Sequence, residues 1–157
     1  MSDQLEFFAE GLPVSQGSKR IGRNRATGQP VLVEDNVALK PWRSYVTMRA
    51  RRAAAAAKFF KLEGAVEVSL IFTFERPRGH YGTGRNRAVL KASAPEHMMV
   101  KPDVDKLTRA ILDSLTDAKA YGDDSRVVSL RVQKRYVEPN EQAGAHVFVI
   151  AAGGPDE

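Results

Sequence analysis

Cysteine is absent from this 157-residue chain, and histidine occurs only three times, at His80, His97 and His146. The first absence excludes a disulfide scaffold, thiol chemistry and any thiolate zinc site, and the scatter of the histidines argues against an imidazole metal site. Long apolar runs are missing too. Nothing approaches the ~20 residues of a membrane-spanning helix. The opening Met1-Ser-Asp-Gln-Leu-Glu lacks the basic-then-apolar order of a signal peptide, so a cytoplasmic location is expected. What remains is ordinary for one globular domain: 43% apolar residues, in a chain long enough to bury about two-thirds of its unfolded surface without staples.

Charge is unevenly placed. The net +5 conceals a balance of +7 over residues 1–100 (16 basic, 9 acidic) and −2 over residues 101–157 (8 basic, 10 acidic). Six of the nine aspartates fall between Asp103 and Asp124, with no glutamate among them. A basic half suits a polyanionic partner. The aspartate concentration calls for a separate reason.

Periodicity places the elements. Leu5 to Ala9 reads as a short strand, followed by a polar arm, Ser15 to Gln29, that holds Lys19, Arg20, Arg23 and Arg25 without an acid. Pro30 to Val33 reads as a second strand, hairpinned with the first through that arm. From Pro41, apolar residues at Trp42, Val46, Ala50, Ala53, Ala57 and Phe60 recur at helical spacing, and Glu63-Gly64 is expected to end the helix. Its seven basic residues from Lys40 to Lys61 are either a solvated face or a phosphate-contacting one. Val66, Val68, Leu70, Phe72 and Phe74 then alternate as a strand with one apolar face. A basic, glycine-containing loop from Arg78 to Met99 follows, of a length that is usually functional or disordered.

A second helix is expected after Pro102, with Val104, Leu107, Ile111 and Leu115 on one face and Ala110 and Ser114 beside them. Strands over residues 126–137, where Val128, Leu130 and Val132 alternate with Ser129 and Arg131, and over 146–151 complete the chain, with a frayed tail over 153–157. The order β-β-α-β-α-β-β gives an α+β fold: a small single domain, residues 1–152, with a mixed sheet and two main helices.

Three acids stand out. Asp103 and Asp105, in Lys101-Pro-Asp-Val-Asp-Lys, leave an extended backbone on the same side if Pro102 holds the chain open before the helix. Asp124, in Tyr121-Gly-Asp-Asp-Ser, rejoins them if the following strand runs back beside the helix start. Three carboxylates within ~5 Å repel by about 3 kcal/mol per pair, which a divalent cation relieves. Hard oxygen ligands favour Mg²⁺ or Mn²⁺. Each aspartate also has an ordinary structural reading, Asp103 as a helix cap and Asp123-Asp124 as a turn. Lys101, Lys106 and Arg109 interleave the acids, so a cation-binding site is ringed by phosphate-binding groups. That pairing suits metal-assisted phosphodiester hydrolysis. Asp105 and Arg109 could equally form an ordinary i, i+4 ion pair.

The stretch from Lys101 to Tyr136, with Lys-Pro-Asp-Val-Asp-Lys-Leu-Thr-Arg, Ala-Tyr-Gly-Asp-Asp-Ser and Lys134-Arg-Tyr in order, resembles the RusA family of Holliday-junction resolvases, which phages and prophages often encode. The resemblance implies a homodimeric, Mg²⁺-dependent endonuclease that nicks two opposed strands of four-way junction DNA during recombination and repair. The family's essential acids fall on Asp103, Asp105 and Asp124, as catalytic residues and metal ligands, and its catalytic basic position on Arg109. That position is familiar as lysine. Arginine cannot give up its proton at neutral pH, so charge stabilisation survives there and a general-acid role does not. Lys106 stands where asparagine is frequent, and Asp113 reads as structural. DNA contacts are expected from Lys19, Arg20, Arg23, Arg25, Arg85, Arg87, Lys101, Lys106, Lys134 and Arg135. Two rivals stand beside this: a non-catalytic junction- or DNA-binding phage accessory protein on the same scaffold, and a broader flap or fork nuclease.

Overall fold

The computed structural model describes residues 2–17, 19–34 and 36–153, with the backbone alone for 19–21 and 32–34. Its elements are β1 (Gln4–Glu10), β2 (Lys19–Arg23), β3 (Pro30–Glu34), α1 (Leu39–Ala57), β4 (Val66–Phe74), α2 (Val104–Asp117), β5 (Val127–Tyr136) and β6 (Gly144–Ala151). The α+β class and mixed sheet match the expectation. The strand count before α1 does not.

Three strands precede α1, and β1 does not hairpin with Pro30–Val33; it pairs antiparallel with β6. The hairpin forms inside the arm, β2 with β3. Local turn chemistry explains this. Asn24 Oδ1 accepts from the backbone N–H groups of Ala26 and Thr27. Gly28, at φ +71°, donates its N–H to the Asn24 carbonyl and closes the loop. A six-residue closure costs far less chain entropy than the long one linking β1 to β3. Neither β2 nor β3 makes extensive contact with another element, so the basic hairpin stands off the body.

α1 also ends earlier than expected. Its cap is Lys58 in the left-handed region at φ 54°, with its N–H on the carbonyls of Ala54 and Ala55. The turn buries Phe59 (8% exposed) and leaves Phe60 at 64%, so the core takes the aromatic that helical spacing would not select.

The main sheet runs β1-β6-β4-β5; β6 pairs antiparallel with both neighbours, while β4 and β5 are parallel with α2 in the connection. One face carries Val66, Val68, Leu70 and Phe72 from β4 with Ala145, Val147 and Val149 from β6, all buried. Trp42, Val46 and Ala50 of α1 and Leu107, Ile111 and Leu115 of α2 pack into the same core. Each fully buried aliphatic of this kind contributes roughly 1.5–3 kcal/mol. Both helices lie on that face. The other face carries no covering element among the described residues.

Alternation in β5 misleads at its start. Val128 is 63% exposed and Leu130 46%. The register shifts between Val66 and Glu67, which pair with Val127 and Ser129, so Val128 is the unpaired extra residue of a bulge on an edge strand. The loop from Arg78 to Met99 is a folded excursion: Tyr81 bridges Leu90, and the Arg78 guanidinium donates to the carbonyls of Arg87 (3.1 Å) and Gly82 (3.1 Å). Among the described residues, no helix is long and apolar enough to cross a membrane.

Candidate active site

α2 organises the site. The helix begins directly after Asp103, whose backbone is extended (φ −75°, ψ 143°) and whose carbonyl accepts from Leu107 N–H. Its side chain makes no capping hydrogen bond, so the ordinary reading of Asp103 as a side-chain cap finds no support. Asp105 lies inside the first helical turn rather than on an extended segment. Two residues apart across that boundary, the carboxylates do not share the same-side geometry of a strand. Both are exposed.

The approach to Asp103 is held from behind. The Lys101–Pro102 peptide is cis. Lys134, on β5, donates its ammonium to the carbonyls of Val100 (2.6 Å) and Pro102 (2.8 Å). Lys134 was expected at DNA; its geometry instead ties the segment carrying Asp103 to the sheet.

Asp123 and Asp124 divide two tasks. Asp123 Oδ2 accepts from Ser125 N–H at 2.9 Å and makes the turn into β5; the Ser125 hydroxyl first, and then this backbone bond, hold its carboxyl below the usual range. Asp124 turns toward α2. Its Oδ2 accepts from Arg109 Nη1 at 2.7 Å, and its Oδ1 from Thr116 Oγ1 at 2.7 Å and the Tyr121 hydroxyl at 3.4 Å. Tyr121 is buried and also donates to the Leu112 carbonyl. Burial, then the Asp124 charge, pushes its phenol above the ordinary value, so it stays a donor. Arg109 continues to Asp113 at 3.8 Å, and Asp113 to Arg43 at 3.8 Å. Burial raises the Asp113 carboxyl, against the pull of Arg43 and Arg109.

Sequence reasoning singled out Asp124 and Arg109, and the structure joins them. It missed Thr116, Tyr121 and Arg43. Thr116 had a signal, standing seven residues and two turns beyond Arg109 on one helical face; Arg43, from another helix, had none.

The three acids do not converge. Among the described residues, no three His, Cys, Asp or Glu side chains group closely enough to hold a metal ion. The physical reason is α2 itself: Asp105 sits at its start, Asp124 docks near Thr116 toward its end, and Arg109 lies between and takes Asp124. The donors fit a hard divalent cation in kind, as carboxylate oxygens, and not in arrangement.

Of the remaining cations, Lys101, Lys106 and Arg109 stand beside the acids in the chain. Lys101, Lys106, Arg23, Arg25, Arg85 and Arg87 are exposed, while the side chains of Lys19 and Arg20 lie outside the described residues. The arm's root is fixed beside the acids, because Gln16 N–H donates to the Lys106 carbonyl at 3.1 Å. Arg135 is paired in fork geometry with Glu141 at 2.6 and 2.8 Å. A groove of about 1000 Å³ beside α1 adds Lys40, Arg43, Arg51 and Arg52, next to Asp117. Carboxylates spread along α2, interleaved with Lys101, Lys106 and Arg109, can seat a phosphodiester and steady charge developing on it.

No curated protein matches this chain in sequence. The family described as Endodeoxyribonuclease RusA matches residues 10–148, nearly the whole chain and every element that builds the site. With Asp124, Arg109 and the elements that carry them inside that span, the chain belongs to the RusA endodeoxyribonuclease family.

Proposed function

We propose that this endonuclease resolves four-way DNA junctions by paired, symmetric nicks during recombination and repair, acting in the bacterial or phage-infected cytoplasm. The observation that carries it is the Arg109–Asp124 contact at 2.7 Å, with Thr116 and Tyr121 on the second oxygen and a basic hairpin rooted at Lys106. Asp103, Asp105 and Asp124 are the catalytic acids. Arg109, held by Asp113 and Asp124, stabilises charge on the phosphate and does not transfer a proton. Mg²⁺, with Mn²⁺ as substitute, is the cation these oxygens would select. Two cuts at one junction call for two protomers.

The DNA grip comes from the arms. Arg23 and Arg25 lie on the hairpin that also carries Lys19 and Arg20 in sequence, Arg85 and Arg87 lie on the excursion, and Lys101 and Lys106 stand beside the acids.

The test is incubation with a mobile synthetic junction and a matched linear duplex, with and without Mg²⁺, mapping nicks on all four strands. Symmetric Mg²⁺-dependent nicks on the junction alone are expected. Asp105→Asn should bind the junction and lose cleavage by about 10²-fold or more. Unimpaired cleavage by that variant would remove Asp105 from the chemistry. The engagement of Asp124 by Arg109 favours one rival, a non-catalytic junction binder on this scaffold, which requires binding without nicks under every metal condition.

A further inference from the structure

α1 turns its basic side toward a groove. Between Leu39 and Ala57 the helix carries Lys40, Arg43, Arg49, Arg51 and Arg52 and no acid. Lys40, Arg43, Arg51 and Arg52 line a cavity of about 1000 Å³ whose one carboxylate, among the described residues, is Asp117 at the end of α2. That acid is already engaged: Arg43 donates to its carboxylate at 3.1 Å, and Arg51 to its backbone carbonyl at 3.0 Å. Lys40 and Arg52 are exposed and make no ion pair among the described residues. The bottom of the groove is apolar. Leu39 and Thr47 are buried there, and the Thr47 hydroxyl is spent on the Ser114 carbonyl at 3.4 Å. Met48 lies half-buried in the same lining, and Val37, 89% exposed, stands at its rim.

We infer that this groove docks an acidic peptide segment of another protein, whose carboxylates meet Lys40, Arg51 and Arg52 and whose apolar side chains fill the space over Leu39 and Met48. The dimensions suit a peptide. Lys40 and Arg52 stand twelve residues apart on one helix, ~18 Å at the helical rise. That span matches about three turns of a partner helix, or about five or six residues of extended chain. A compact ligand would leave one end of the cation row unmet.

Charge and apolarity together select the occupant. Four cations against one carboxylate leave the groove positive, so an acidic segment is drawn in and a basic one repelled. DNA shares the charge and lacks the second property. Interfaces with nucleic acid are more polar than those with protein, and a phosphate backbone has no apolar side chain to lay on Leu39, Met48 and Val37. The position of the groove suits a tether. α2 lends it Asp117, its last residue, ~18 Å along the helix from Asp105. A peptide seated along α1 therefore leaves Asp103 and Asp105 open to DNA, and a partner can hold the endonuclease while it engages its substrate. This docking requires no particular DNA structure, so it stands apart from the junction reading above.

Heteronuclear NMR titration of the isotope-labelled intact chain tests this. The probe is a synthetic peptide of about eight residues, aspartates around one phenylalanine and one leucine, and the control is aspartate alone at equal length. The probe is expected to shift the backbone amides between Val37 and Arg52, and to bind about tenfold more tightly than the control. Lys40→Ser combined with Arg52→Ser should weaken it about tenfold with the rest of the spectrum in place. Met48→Asp should remove the preference for the probe over the control; if that variant fails to fold, the pair of exposed cations carries the test. Junction DNA added to the peptide-loaded chain is expected to bind without releasing the peptide. Equal affinity for the two peptides, shifts that map elsewhere, or no binding at about 1 mM overturns the proposal. Displacement of the peptide by DNA, with a flatter salt dependence of DNA binding in the Lys40 and Arg52 variant, overturns it as well and gives the groove to phosphate.

Discussion

Two adjacent aspartates, identical in composition, do different work because their backbones aim them differently. Asp123 closes a turn on Ser125, and Asp124 meets Arg109, Thr116 and Tyr121. The motif around them was legible in the sequence; the assignment of Asp124 came from the family pattern, and its partners came from folding α2 against the turn. Lys134 shows the reverse case. Its charge suggested phosphate, yet its ammonium is taken by the carbonyls of Val100 and Pro102. Lys134→Met should therefore cost about 1–3 kcal/mol in urea unfolding and reduce cleavage through Asp103, with the salt dependence of DNA binding little changed. The Arg135–Glu141 pair gives a pH signature. Hydrogen bonds from Arg135, helped by Glu138 N–H, draw the Glu141 carboxyl down to about 2. A depressed acid stabilises the fold fully above its unfolded value of ~4.3, and that contribution fades as pH falls toward 2. With both side chains about a quarter exposed, its size is on the order of 1 kcal/mol. Wild type and Glu141→Gln should thus differ most at neutral pH and converge near pH 2 in denaturant titrations.

Among the elements, β4 and α2 were readable because a single period runs through each; Val66, Val68, Leu70, Phe72 and Phe74 of β4 and Leu107, Ile111 and Leu115 of α2 are buried where that period puts them, while Val104, in the first turn of α2, stays 36% exposed. β1 and α1 were partly readable. The period of α1 continued through Phe60, but burial of Phe59 ended the helix first; the pairing of β1 depended on a strand at the other end of the chain. No local pattern reports such a partner. The three acids stand apart for a related reason, since the helix starts at Val104, two residues before the extended-segment argument requires. Gly144 marks where β1 and β6 come closest: a Cβ there would meet the Ala9 carbonyl and, at 2.6 Å, the Phe8 ring. Gly144→Ala is expected to destabilise the protein by about 1–3 kcal/mol in thermal or urea melts, by forcing these strands apart.

For the whole molecule, the division of charge seen in the sequence survives folding as a division of place. The basic half supplies the hairpin and the folded excursion, and the acidic stretch supplies α2 and the turn that carries Asp124. If those arms meet phosphates, Arg23→Ser and Arg85→Ser should each flatten the log–log salt dependence of junction binding by about one unit, while cleavage at low salt persists. Unchanged slopes would mark both as solvated. The strand order β1-β6-β4-β5 has a consequence for how the chain reaches its fold. The last strand made is the one inserted between the first and the fourth, so during synthesis β1 and β4 wait with open edges until Gly144–Ala151 arrives. Contacts this distant in sequence make for slow folding, with an interval in which two apolar strand edges are open to a neighbouring chain.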